Sequence, residues 1–133
     1  MSPDSVIVVA AVIEDGERFL VTRRQKGVHL EGYWEFPGGK IDPEETHTAA
    51  LKREIREELD ADVDVGELVL STTHAYPEKT VTLFFYRCRI DGAPRPVVGQ
   101  EMKWVPREEL TGLKFPAADA ELIKVLSGSA RSA

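Results

Sequence analysis

The stretch Thr46–Leu59, THTAALKREIREEL, constrains this chain more than any other, because it sets like charges beside a stripe that wants burial. On a helical wheel with Leu51 at the origin, Ile55 falls at about 40° and Leu59 at about 80°, one apolar stripe for a core. Glu58 falls at about 340°, Glu54 at about 300° and Glu57 at about 240°, whereas Lys52, Arg53 and Arg56 take roughly the 100° to 200° arc. The three glutamates form one strip at the edge of the buried face. Solubility alone favours opposite charges four residues apart, but Glu54–Glu58 is a like-charge pair, unfavourable by about 0.2–0.5 kcal/mol. A divalent cation reverses that sign. Mg²⁺ takes hard oxygen ligands and keeps several waters, so carboxylates on one helix face suit it. Zinc would need thiolates or paired histidines, and neither is nearby in the sequence.

The charge distribution agrees. Residues 42 to 67 hold ten acidic side chains against three basic ones, so more than the whole net charge of −6 lies in that segment. A nucleic-acid-binding surface needs a basic stripe, so no nucleic-acid partner is expected. The acidic excess reads either as a solvated face or as a cation site. With 133 residues, 42% hydrophobic and 30% charged, the chain is expected to form one domain with its own core, residues 1–133, with loose ends at about 1–4 and 127–133. Val6–Ile13 is too short to cross a bilayer, no secretory signal is apparent, and Cys88 has no disulfide partner. A cytoplasmic protein without a membrane partner follows as an expectation, monomer or homodimer.

Periodicity supplies the elements. Val6–Ile13 is a continuous β-branched run, expected as a buried strand, and Arg18–Thr22 returns as its hairpin partner across Glu14–Glu17. Residues 27 to 43 read mostly as loop. Pro43-Glu44-Glu45 reads as the first turn of the acidic helix, where proline is tolerated and acids meet the positive end of the dipole. Glu67–Thr73, Thr80–Ile90 and Lys103–Val105 read as strands, Pro106–Leu110 as a turn or short helix, and Ala117–Leu126 as an amphipathic helix. Strands, helix, strands, helix make an α+β or mixed-sheet domain.

Trp34-Glu35-Phe36-Pro37-Gly38-Gly39-Lys40 leads toward the acidic helix, and its paired glycines let backbone approach a ligand. From Gly39, five residues lead to Glu45 and seven more to Arg53-Glu54-Ile55-Arg56-Glu57-Glu58-Leu59-Asp60-Ala61. This resembles the Nudix box, GX5EX7REUXEEXGU, with every fixed position matched except the last glycine, here Asp60. Aspartate tolerates the left-handed conformation that ends many helices, so the helix end is expected to survive. EFPGGKI, Arg23-Arg24 and FPAAD (Phe115 to Asp119) are similar to the MutT-like branch, and the resemblance spans nearly the whole chain. It implies an α+β fold with a mixed β-sheet sandwiched between helices.

The resemblance also implies chemistry. MutT-like members hydrolyse nucleoside triphosphates to a monophosphate and pyrophosphate, with Mg²⁺ as cofactor and Mn²⁺ able to substitute. Glu54, Glu57 and Glu58 would hold metal, with Glu54 or Glu57 also acting as catalytic base. Gly39 and Lys40 would ligate through the backbone and shape the turn, Lys40 also lying against substrate. Glu45 and Arg53 resemble a structural ion pair. Glu101, in GQEMKW, is either a further metal ligand or a surface glutamate. Arg23 is a phosphate clamp or a strand-end charge. Lys79 steadies a phosphate or faces water. Asp119 reads a base edge, caps the last helix, or both. Phe36, Tyr76 and Phe84 are candidates to stack on a base, Phe84 fitting the core better. His29 and His74 read as structural or solvent-facing, and Cys88 as packing.

The leading expectation is a Mg²⁺-dependent pyrophosphohydrolase acting on a small nucleotide, either oxidised guanine or cytidine-type triphosphates. The alternatives are hydrolysis of a nucleoside diphosphate derivative of the ADP-ribose type, and a non-catalytic nucleotide-binding module. The retained glutamates speak against the last.

Overall fold

The structure, a computed structural model, describes residues 4–28 and 30–128. His29 and the terminal residues 1–3 and 129–133 lie outside the described residues. Of the ends expected to be loose, Asp4 is paired with Lys79 in a strand and Ser127 N–H donates to Ile123 O at 2.8 Å.

In chain order the elements are β1 (Asp4–Asp15), β2 (Arg18–Arg23), β3 (Trp34–Glu35), β4 (Gly38–Lys40), α1 (His47–Leu59), β5 (Asp62–Ala75), β6 (Lys79–Asp91) and β7 (Met102–Pro106). Two short 3₁₀ turns, Arg107–Gly112 and Ala117–Asp119, lead into α2 (Ala120–Leu126). The described strands form a seven-stranded mixed sheet in which β1 is shared by every branch. It runs parallel to β6 from Asp4↔Lys79 to Ile13↔Cys88. On its other edge its first half pairs with β4 and its end pairs with β2, both antiparallel. The branch β2 also carries β3 and β7, and β5 pairs with β6 through two bulges.

The continuous apolar run in β1 follows from this position, because both faces of the sheet are covered. Val9, Ala11 and Ile13 point to one side and pack with Leu51, Ile55 and Leu59 of α1. Ala10 and Val12 point to the other and pack with Leu110, Leu122 and Leu126. The second layer is pinned by Arg107, whose Nη2 donates to Glu14 at 2.7 Å and whose Nη1 donates to the α2 carbonyl of Leu126 at 2.6 Å.

Two expectations need correction. The segment 27 to 43 is not simply loop: β3 and β4 are cut from it, each too short for periodicity to announce. The acidic helix also begins later than Pro43-Glu44-Glu45 suggests. Thr46 caps it, its Oγ1 accepting from Ala49 N–H at 3.1 Å, and the first turn holds no acid. Glu44 takes a left-handed φ of 69°, and Glu45 is used for an ion pair instead. Asp60 closes α1 as expected, at φ 52° and ψ 45° with its N–H on Arg56 O. Cys88 is core packing, its thiol pushed up to about 12 by burial.

Gly38 faces Ala10 across the β1–β4 pair. A Cβ there would collide with the Val9 carbonyl and the Ala10 backbone, which cannot swing aside as a side chain can. Gly38→Ala is expected to destabilise the fold by about 1–3 kcal/mol. Urea unfolding should show a lower midpoint at constant slope, and an unchanged midpoint would mean that the strands have room to part.

Candidate functional site

β4 and α1 meet along the glutamate strip. Glu54 lies so close to the backbone of Gly39 that a Cβ on that glycine would overlap the carboxylate. Glu58 stands beside the side chain of Glu54 and near the Gly38 backbone. Burial, that contact with Glu54 and the nearby charge of Glu35 hold the Glu58 carboxyl well above the usual carboxylate range. Neighbouring carboxyl groups favour a positive charge beside them, a proton or a cation. Glu57 is more exposed, with 58% of its side chain open to solvent.

Arg53 organises the strip. Its Nε and Nη2 grip both oxygens of Glu45 at 2.7 and 2.9 Å, and Nη2 also donates to Lys40 O at 3.2 Å. Its Nη1 donates to Glu54 at 3.0 Å and to Glu57 at 3.4 Å. Glu45 also accepts the Asp42 N–H at 2.8 Å. These hydrogen bonds hold the Glu45 carboxyl down at about 2. The loop bearing Lys40 and the helix bearing the glutamates are thus tied through one guanidinium.

A cavity of about 270 Å³ opens on the other side of Gly38 and Gly39. Its walls include Val8, Phe36, Tyr76, Leu83 and Phe85, with Lys40 and Lys79, Glu35 and Arg24, and Asp119 as its charged groups. Asp119 is 6% exposed, and burial, then the charge of Glu35, pushes it up to about 7. Burial likewise raises Glu35, against a 2.9 Å ion pair with Arg24. A second cavity of about 190 Å³ shares Arg24 and Glu35 with the first and adds Arg23, Glu58 and Gln100. Glu58 therefore stands near the border between two hollows.

The site residues singled out from sequence are spread over both hollows, the strip and, for Glu101, a separate surface groove that Arg23 also lines. Gly39, Phe36, Lys40, Lys79 and Asp119 line the larger cavity. Glu54, Glu57 and Glu58 are gathered on α1 around Arg53 and Gly39. Arg23 and Glu101 are not in the larger cavity; they pair with each other at 2.8 Å, while Arg23 Nε donates to Gly32 O at 3.0 Å. Phe36 is less free to stack than expected, being buried against Phe115 with ring centroids 5.4 Å apart. Phe84 packs on the α1 side against His47, and His74 lies against Tyr76. Asp119 stands at the N-cap of α2 without a side-chain capping bond, so that expectation is withdrawn. Sequence reasoning missed Glu35, Arg24 and Gln100 as lining residues. A lone acid inside the aromatic run WEF was the available signal for the first.

Among the described residues no three acidic, histidine or cysteine side chains already converge on one point. The donor set nonetheless fits a hard divalent cation: neighbouring carboxylates on one helix face, with the Gly39 backbone against Glu54 and no thiolate or imidazole among them.

Comparison with known proteins points the same way. The family model of the NUDIX domain matches residues 8–125. The chain is 40% identical over 122 residues to an 8-oxo-dGTP diphosphatase of Haemophilus influenzae, covering 89% of each. It is 34% identical over 116 residues to a CTP pyrophosphohydrolase of Escherichia coli K12, covering 86% of this chain and 84% of that one. The solution structure of the E. coli ORF135 protein superposes with a TM-score of 0.85 at 31% identity, over 98% of this chain and 96% of that one.

The buried carboxyl gives a pH-dependent stability. Asp119 binds its proton more tightly folded, at about 7, than at its ordinary 3.8. The stability it contributes is complete below the ordinary value and is lost as pH rises through 7. Every tenfold gain in proton affinity corresponds to about 1.4 kcal/mol, so Asp119→Asn should gain on the parent by a few kcal/mol between pH 4 and 8. Thermal melts across that range test this; parallel pH profiles for the two proteins would mean that the carboxyl is not desolvated.

Proposed function

The chain belongs to the NUDIX domain family, and from that membership we propose that it hydrolyses nucleoside triphosphates to the monophosphate and pyrophosphate. The family generally uses a divalent metal, and Mg²⁺, with Mn²⁺ as a substitute, is the ion we propose here. Oxidised guanine and cytidine-type triphosphates are the candidate substrates, in keeping with the relatives' activities. The observation that carries the reading is the meeting of an all-oxygen glutamate strip with an apolar-walled cavity that ends on a buried carboxyl.

The assignment of roles follows from charge. A triphosphate is strongly anionic and repels a nucleophile. Glu54, Glu57 and Glu58 would hold a divalent ion, which would supply charge neutralisation, polarisation of phosphoryl oxygen and easier deprotonation of water. Glu54 or Glu57 takes the proton from the attacking water. The Gly39 backbone lies beside the same carboxylates, and Lys40 faces the phosphates. Glu101 is the further candidate ligand, and Arg23 the candidate phosphate clamp. These two are paired with each other and exposed, and a pair of that kind is worth about 0–1 kcal/mol, so a phosphate can displace it cheaply. Lys79 and Asp119 face the nucleoside cavity. Near neutrality Asp119 is split between a carboxyl that donates and a carboxylate that accepts, which suits a base edge bearing an amino group beside an acceptor.

Pyrophosphate release from a panel of nucleotides, with and without Mg²⁺, tests the reaction; no turnover of any triphosphate would sink it. Glu57→Gln is expected to cut kcat by about 10²–10⁴-fold. Because Glu57 is largely exposed, its melting temperature should stay near that of the parent. A near-normal rate in this variant would remove Glu57 from the metal and base assignments.

A further inference from the structure

Gln100 is 8% exposed, although it lies in a loop rather than in a strand or helix. The segment 92–100, between β6 and β7, closes the C-terminal end of α1. The last carbonyls of a helix lack intrahelical donors. Here Arg95 N–H donates to Leu59 O at 2.8 Å and Val97 N–H to Glu58 O at 3.3 Å. Gln100 Nε2 donates to the same Glu58 O at 3.1 Å. Only the amide nitrogen can face a carbonyl, so this bond fixes which end of the side chain is which. The other end, Oε1, is buried and has no hydrogen-bond partner. An orphaned buried acceptor costs about 1–3 kcal/mol, and buried polar groups otherwise find a protein or water donor. Gln100 and Glu58 line the same cavity of about 190 Å³.

We propose that Gln100 is a positioning residue for the glutamate helix. Its nitrogen sets the main chain of Glu58, and its Oε1 accepts a hydrogen bond from a water in the hydration shell of the cation that Glu58 helps to hold. The inference rests on the divalent-cation reading above. Mg²⁺ and ions like it keep several waters, which need acceptors of their own in a site walled by protein. Residues in that outer shell typically change metal affinity or activity by about 10–100-fold when removed.

The test compares Gln100→Met, which keeps length but has no strong hydrogen-bonding group, with Gln100→Lys, which keeps a donor for Glu58 O but has no acceptor. Mn²⁺ alone is titrated into each full-length protein and the free ion is read by electron paramagnetic resonance. Nucleotide turnover is measured in parallel. Gln100→Met should weaken Mn²⁺ binding about tenfold or more and lower kcat while nucleotide KM holds. Gln100→Lys should likewise weaken Mn²⁺ binding, because the donor to Glu58 O alone does not replace the lost acceptor. Parental Mn²⁺ affinity in Gln100→Met, whatever its melting temperature, overturns the inference, because a helix cap alone would then explain the residue. If Gln100→Met does not fold, parental Mn²⁺ affinity in folded Gln100→Lys overturns it equally. A parent protein that binds no Mn²⁺ overturns both this inference and the cation reading. A parent that binds Mn²⁺ but turns over no nucleotide overturns the proposed reaction alone, and the Mn²⁺ comparison still decides the role of Gln100.

Discussion

Everything distinctive about this molecule depends on the guanidinium of Arg53. A helix with three glutamates along one edge repels itself, and the loop that must pass beside it carries Asp42 and Glu45 as well. Arg53 meets Glu45 with both arms, reaches Glu54 and Glu57, and holds the carbonyl of Lys40. Planar geometry matters here, because the single nitrogen of a lysine could not reach partners spread around three nitrogens of a guanidinium. The result is a register between loop and helix that places backbone at Gly39 against the carboxylate of Glu54. The residual repulsion, between Glu54 and Glu58, is left for a proton or a metal ion to settle.

The sheet makes that local register useful. Since β1 is covered on both faces, α1 and α2 lie on opposite sides of one layer. The glutamates approach from the α1 side through β4, while Asp119 approaches from the α2 side. Their chemistry is opposite in kind. The glutamate strip gathers carboxylate oxygens, whereas the cavity beyond Gly38 and Gly39 has apolar walls and two carboxyls, Glu35 and Asp119, raised first of all by burial. Glu35 and Arg24 belong to both hollows and couple them electrostatically.

Legibility followed the range of the interaction. The α1 stripe of Leu51, Ile55 and Leu59, the strand in Val6–Ile13 and the left-handed Asp60 depend on neighbours within a turn or a few residues, and each was readable. The Glu45–Arg53 pair was readable only through the family pattern. By contrast, β3 and β4 hold two and three residues, and their strand character comes wholly from partners in β2 and β1. The start of α1 was misplaced because Glu44 and Glu45 suit a first turn, but Thr46 caps the helix and Arg53 claims Glu45.

Residue order therefore settled which side chains share a helix face, where the chain can turn, and that carboxylates would crowd one edge, since these are consequences of backbone periodicity. Folding in three dimensions decided the rest. It paired Arg23 with Glu101 across 78 positions of sequence, turned Phe36 onto Phe115, buried Asp119 without a capping bond, and aimed Gln100 at Glu58. Desolvation and long-range contact depend on which surfaces meet, and no local pattern encodes that.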